Sequence, residues 1–207
     1  MRTGPILIGI TGNIGSGKSA FCRLLAEHGY EVIFSDEIAQ RQLDEPECLE
    51  QIIRRWGKEL AVDGKADRKK IASIVFGNKE ELEFLNSLVH PRALAVLQEI
   101  ADNSEQKYLF FEVPLLFEAG MQHCFDYIVL VRASREKRLQ RLLKKGQETQ
   151  ERIEARMDAQ IDDLAKIPLC DLVIDNKGSL NALKNSVKEF IGRLDSIRHK
   201  DKIPFSS

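Results

Sequence analysis

Residues 12–19, Gly-Asn-Ile-Gly-Ser-Gly-Lys-Ser, fit GxxxxGK[ST] without a gap. The three glycines allow backbone N–H groups to turn inward around phosphate oxygens, and a helix opening at this point adds partial positive charge. Lys18 is placed to neutralise β/γ-phosphate oxygens, and the Ser19 hydroxyl to ligate Mg²⁺. Asn13, Ile14, Gly15, Ser16, Gly17, Lys18, Ser19 and Ala20 are therefore the candidate nucleotide-binding residues. Such a loop identifies a nucleoside triphosphate site without naming the acceptor. A guanine-reading NKxD would indicate a GTPase. The nearest stretch, Asn176-Lys177-Gly178-Ser179, has Ser in place of the Asp.

Asp36 and Glu112 stand where strands of an α/β protein would end, at the edge where ligands bind, and Glu118 follows Glu112 within the next turn. Asp36 can take the proton of an attacking hydroxyl or cap a helix. Glu112 and Glu118 can order Mg²⁺ water, bind substrate or pair with an arginine. Between Arg132 and Arg156 nine Lys/Arg against four Glu give +5, leaving the rest of the chain at about −6. Arg138, Arg141 and Lys145 share one face of a helix, with Leu139, Leu142 and Leu143 on the other. Taken alone, such a run is a solvated face. Beside a phosphate loop it reads as a lid that clamps phosphates, because phosphoryl transfer depends on positioning and charge neutralisation.

These side chains need elements to hold them. Ile6–Ile10 is a short apolar run with the pattern of a strand buried on both faces, and Phe21, Leu24 and Leu25 follow at helical spacing up to Gly29. Val32–Phe34, Tyr108–Val113, Tyr127–Val131 and Asp171–Ile174 read as further strands. Helical patterns cover Glu136–Lys145, Glu151–Asp163 and Leu180–Leu194, and nearly all of Glu47–Ser104. The pattern predicts an α/β fold on a mainly parallel five-stranded sheet with a helical insertion, and a loosely held polar tail from His199.

The bulk composition agrees with one soluble unit. The chain has 207 residues, 43% hydrophobic and 30% charged, with a formal net charge of −1, which excludes a global basic field for nucleic acid. No apolar stretch reaches the length of a membrane span, and Met1-Arg2-Thr3-Gly4-Pro5 runs straight into a strand without a secretory h-region. Cys22, Cys48, Cys124 and Cys170 are too widely spaced for a zinc pair or a disulfide framework, so free thiols and a cytoplasmic location are expected.

Together these residues resemble the dephospho-CoA kinase family. The resemblance rests on TGNIGSGKS (Thr11–Ser19), SDEIA (Ser35–Ala39), Asp67-Arg68, Val75-Phe76, LVHP (Leu88–Pro91), PLLFE (Pro114–Glu118), RMDAQ (Arg156–Gln160) and VIDNKG (Val173–Gly178). It implies an α/β P-loop kinase core (about 1–40, 106–132 and 164–196), a helical acceptor-binding insertion (about 41–105) and a helical lid (about 133–163). It also implies transfer of a phosphoryl group from ATP to the 3′-hydroxyl of dephospho-CoA, with Mg²⁺ as cofactor. Asp36 matches the family's base, Arg141 its phosphate-contacting lid arginine, and Asn176 and Gly178 the loop beside adenine. His90, Leu115, Leu116 and Glu118, with Asp36, match the acceptor side. The chain departs from the family pattern at Phe34, Ala20, Gln40, Lys145 and Glu112, where Asp, a second hydroxyl, Arg or His, Arg, and Asp are common. Two rival functions use the same core: a kinase for a smaller nucleoside or nucleotide acceptor, and a nucleotide-dependent binding switch without transferase activity.

Overall fold

The computed structural model describes residues 4–205; Met1–Thr3 and the last two serines lie outside them. In chain order the elements are β1 (Ile6–Thr11), α1 (Lys18–Glu27), β2 (Val32–Phe34), α2 (Ser35–Gln42), α3 (Pro46–Trp56), β3 (Ala61–Val62), β4 (Lys65–Ala66), α4 (Arg68–Val75) and α5 (Lys79–Asn103). There follow β5 (Tyr108–Glu112), β6 (Tyr127–Arg132), α6 (Arg135–Lys145), α7 (Gln150–Asp158), α8 (Asp163–Lys166), β7 (Leu172–Asp175) and α9 (Leu180–Ile191). Contacts divide the chain into two units, residues 1–34 with 101–204, and residues 35–100 with 205–207. No helix among the described residues is long and apolar enough to cross a membrane.

The first unit is built on one parallel sheet in the order β2-β5-β1-β6-β7. Its inner strands carry apolar residues on both faces because helices cover both, as an all-parallel sheet requires. Ile8, Ile10, Phe110 and Val129 are fully buried, and Phe21 and Leu25 of α1 and Val187 and Phe190 of α9 pack on them. The register sets Ile10 beside Glu112 and Arg132 beside Asp175, so the strands finish along one edge. Everything that follows β1, β5, β6 and β7 starts from that edge.

The C-terminal tail departs from expectation. It is fastened, not loose: Lys200 N donates to Asp126 Oδ1 at 2.8 Å, the Lys202 ammonium bonds the same fully buried carboxylate, and Lys200 Nζ reaches Asp171 at 2.6 Å. Composition suggested solvent because these lysines are polar, yet the carboxylate that Lys202 meets, Asp126, is one the fold has already buried.

The second unit is not purely helical. Asp63 and Gly64, both at positive φ, turn the chain between β3 and β4, a small hairpin of the Asp-Gly kind. Leu43, Leu49, Ile52, Leu60, Ile71 and Val89 form its core. Trp56 Nε1 donates to Glu81, and Arg55 pairs with Glu81 and lies over the Phe84 ring. The long α5 carries Pro91 in its interior, and beside it Arg92 Nη1 donates to the Leu88 carbonyl at 2.8 Å.

Candidate active site

The loop between β1 and α1 takes its shape from its glycines and from what presses on them. Gly15 (φ +78°) faces the backbone of Arg138 in α6, where an added Cβ would lie 2.9 Å from the Arg138 carbonyl oxygen. Gly17 (φ +100°) leaves room for Asn176, whose Nδ2 would lie 2.1 Å from such a Cβ. Both positions combine a left-handed backbone with a close neighbour, so only glycine fits. From the other side Arg141 Nη1 donates to the carbonyls of Gly15 (3.1 Å) and Ser16 (2.9 Å), its Nη2 to Asn176 O, and Asn176 Nδ2 to Ser16 O at 2.8 Å. Within the loop Ser16 N donates to the Asn13 carbonyl at 3.0 Å and closes its turn.

Lys18 and Ser19 begin α1 beside the end of β5. Ser19 Oγ donates to Glu112 Oε1 at 2.8 Å, and Lys18 Nζ lies 3.8 Å from the same oxygen. The Lys18 side chain is 12% exposed, more enclosed than a residue open to solvent. Hydroxyl and carboxylate oxygens are the hard donors Mg²⁺ takes, and it is typically bound by one or two carboxylates with substrate phosphates completing the shell. Ser19 and Glu112 fit that pattern. Ala20 is half-buried against the core behind the loop, and Gly178 (φ +123°) sits at the exposed turn into α9.

Other expected residues separate. Asn13 is 1% exposed, and its amide bonds at both ends: Nδ2 donates to Ile161 O at 3.1 Å, and Oδ1 accepts from Lys166 Nζ at 2.7 Å. Its side chain thereby braces the first turn of the loop. Ile14 N donates to Gln160 Oε1 at 2.8 Å, so this N–H serves the protein too. Leu115 is 49% exposed, and Leu116 is fully buried beside Gly9. Glu118 pairs with Lys166 at 2.9 Å, not with a lid arginine. In the second unit Asp36 is exposed in the first turn of α2, where a carboxylate also favours the helix, and His90 is exposed within α5, away from the core position that a satisfied ring would occupy.

The basic run is mostly spoken for. Arg132 pairs with Asp175, Arg135 with Asp158, and Arg156 with Glu148, while Lys137 reaches the Lys177 carbonyl. Arg138 is 6% exposed; burial pushes the nearby Asp163 carboxyl up, and the charges of Arg138, Lys166 and Arg132 offset this only in part. Lys145 is exposed. The stretch Glu151–Asp163 is not one helix: it ends at Asp158, and Asp162 caps α8 by accepting from Leu164 N. Sequence reading missed Gln160 and Lys166, which the break delivers to the phosphate loop. Asp162-Asp163 before an apolar residue is a cap signal that could have marked the break.

A strand, phosphate loop and helix on a five-stranded parallel sheet, with cationic side chains gathered at the strand ends, define a P-loop kinase fold. Shikimate kinase from Acinetobacter baumannii shares that fold at TM-score 0.54 and 15% identity, over 93% of this chain and 94% of that one. Residues 6–182 match the family model described as dephospho-CoA kinase. The dephospho-CoA kinase of Fusobacterium nucleatum is 37% identical over 186 residues, 89% of this chain and 96% of that one. That of Thermus thermophilus is 37% identical over 92% of each. Among solved structures, the dephospho-CoA kinase of Campylobacter jejuni superposes at TM-score 0.68 with 30% identity, covering 92% of this chain and 97% of that one. The chain belongs to the dephospho-CoA kinase family.

Proposed function

We propose that the phosphate loop and the carboxylates at the strand ends carry the reaction of this family, ATP-dependent phosphorylation of dephospho-CoA in coenzyme A biosynthesis. The observation that supports it most is the cluster of Lys18 and Ser19 at the start of α1 with Glu112 at the end of β5, beside a loop whose carbonyls Arg141 holds. The γ-phosphoryl group passes to the 3′-hydroxyl: an oxygen–phosphorus bond forms to the acceptor, the bond to ADP breaks, and the hydroxyl proton goes to Asp36. Lys18 and the loop N–H groups stabilise charge on the transferred group. Ser19 and Glu112 would hold Mg²⁺, which when bound neutralises β/γ-phosphate charge. Asn176 and Gly178 flank the nucleotide, and His90, Leu115 and Glu118 belong to the acceptor side. In this reading residues 41–105 receive the acceptor and 133–163 act as the lid, in the cytoplasm, where the four free cysteines stay reduced.

The test is a coupled ADP-release assay with Mg-ATP and each of dephospho-CoA, adenosine, AMP and CMP. Turnover should be confined to dephospho-CoA and be lost on chelation with EDTA. Turnover with only a nucleoside monophosphate, or acceptor-independent hydrolysis alone, would overturn the reading.

A further inference from the structure

Lys166 is fully buried, and nothing in packing alone calls for a charge there, since an apolar side chain of the same length avoids the cost of desolvating an ammonium. Its Nζ donates to Asn13 Oδ1 (2.7 Å) and Glu118 Oε1 (2.9 Å). Asn13 Nδ2 donates to Ile161 O at 3.1 Å, and Ile161 N donates to Glu118 Oε1 at 3.2 Å, so the hydrogen bonds close into a ring. One side of the ring is the first turn of the phosphate loop after β1. The other is the loop after β5, and the segment between α7 and α8 lies across both. Cys170 Sγ donates to the Lys166 carbonyl at 3.2 Å and fixes the backbone that presents the lysine.

We propose that Lys166 is a positioning residue that sets the ATP-binding loop and the Glu118 loop at one fixed separation, so that donor and acceptor sites are built in register. The proposal rests on the assignment of these two loops to ATP and acceptor. A loop that drifts from its substrate binds it less tightly, which reads as a raised KM. Removing the lysine should therefore weaken substrate binding even where the lost stability is restored.

The experiment measures KM and kcat for both substrates, with melting temperature, for the full chain carrying Lys166→Met, and for Lys166→Met/Glu118→Gln, which leaves no unpaired charge. Lys166→Met should raise KM for ATP and for dephospho-CoA about tenfold or more, with kcat changed much less, and should also lower the melting temperature, which the double variant recovers while the KM for ATP stays raised. In the double variant the ATP value is decisive, because Glu118 lies on the acceptor side. A wild-type KM for ATP in either folded variant would overturn the proposal, as would failure of both to fold, which would assign Lys166 to folding alone. Lys18→Ala separates the two readings: if it leaves transfer intact, the loop is not the ATP site; if it abolishes transfer while Lys166→Met is silent, only the role of Lys166 falls.

Discussion

At the scale of the residue, Asp36 is where chemistry and local structure give opposite forecasts. It is an exposed carboxylate inside the first turn of α2. There a negative charge favours the helix through its dipole by about 0.3–1 kcal/mol, so a purely local role makes Asp36→Asn almost silent. As the proton acceptor for the 3′-hydroxyl, the same change keeps the size and removes the base, a contribution typically worth 10²–10⁴. We expect kcat with dephospho-CoA to fall by roughly two to four orders of magnitude, with ATP affinity and melting temperature nearly constant. A wild-type kcat in steady-state assays would remove Asp36 from the mechanism.

At the scale of the element, α6 and the loop after β7 act as the mould for the phosphate loop. Arg141 and Asn176 hold its carbonyls from outside, and Gly15 and Gly17 are the points where the mould touches. Gly17→Ala brings a Cβ onto Asn176 at a φ of +100°, so either the amide is displaced or the loop reshapes. The strained backbone alone costs on the order of 1–3 kcal/mol. Calorimetric titration with ATP should show affinity falling about tenfold or more, because displaced N–H groups no longer converge on phosphate. Unchanged affinity would mean that the loop's shape does not depend on this contact.

At the scale of the whole chain, the tail is fastened back onto the first unit. Asp126 is fully buried after β5, accepts from Leu7 N at 2.8 Å, and meets the Lys202 ammonium and the Lys200 N–H. Lys202→Met leaves that carboxylate without its main countercharge. Breaking a buried pair typically costs about 3–5 kcal/mol, which for a chain of this size lowers the melting temperature by roughly 10 °C. Asp126→Asn in the same chain should restore much of the loss, and both effects are read by thermal denaturation at constant protein concentration. Substrate KM values at low temperature should not move, because the pair lies outside the site. A Lys202→Met melting curve superimposed on wild type would show that the tail contributes no stability.

The phosphate loop, the apolar strands and the placing of Glu112 at a strand end were readable from sequence because each depends on contiguous residues or short periods. A glycine at positive φ, a buried strand and a helix start are local events. The hairpin at Asp63-Gly64 carried its own turn signal, masked by helical spacing on either side. What only the tertiary structure decided are the partnerships. The bond from Lys166 to Asn13 joins residues 153 positions apart, and no periodicity encodes which buried oxygen an ammonium will meet. The same holds for Leu116, which sequence pairs with Leu115 and packing sends into the core, and for tail lysines that look solvated until Asp126 and Asp171 are in place. Local conformation is fixed by neighbours in the chain. The satisfaction of buried charge is fixed by neighbours in space.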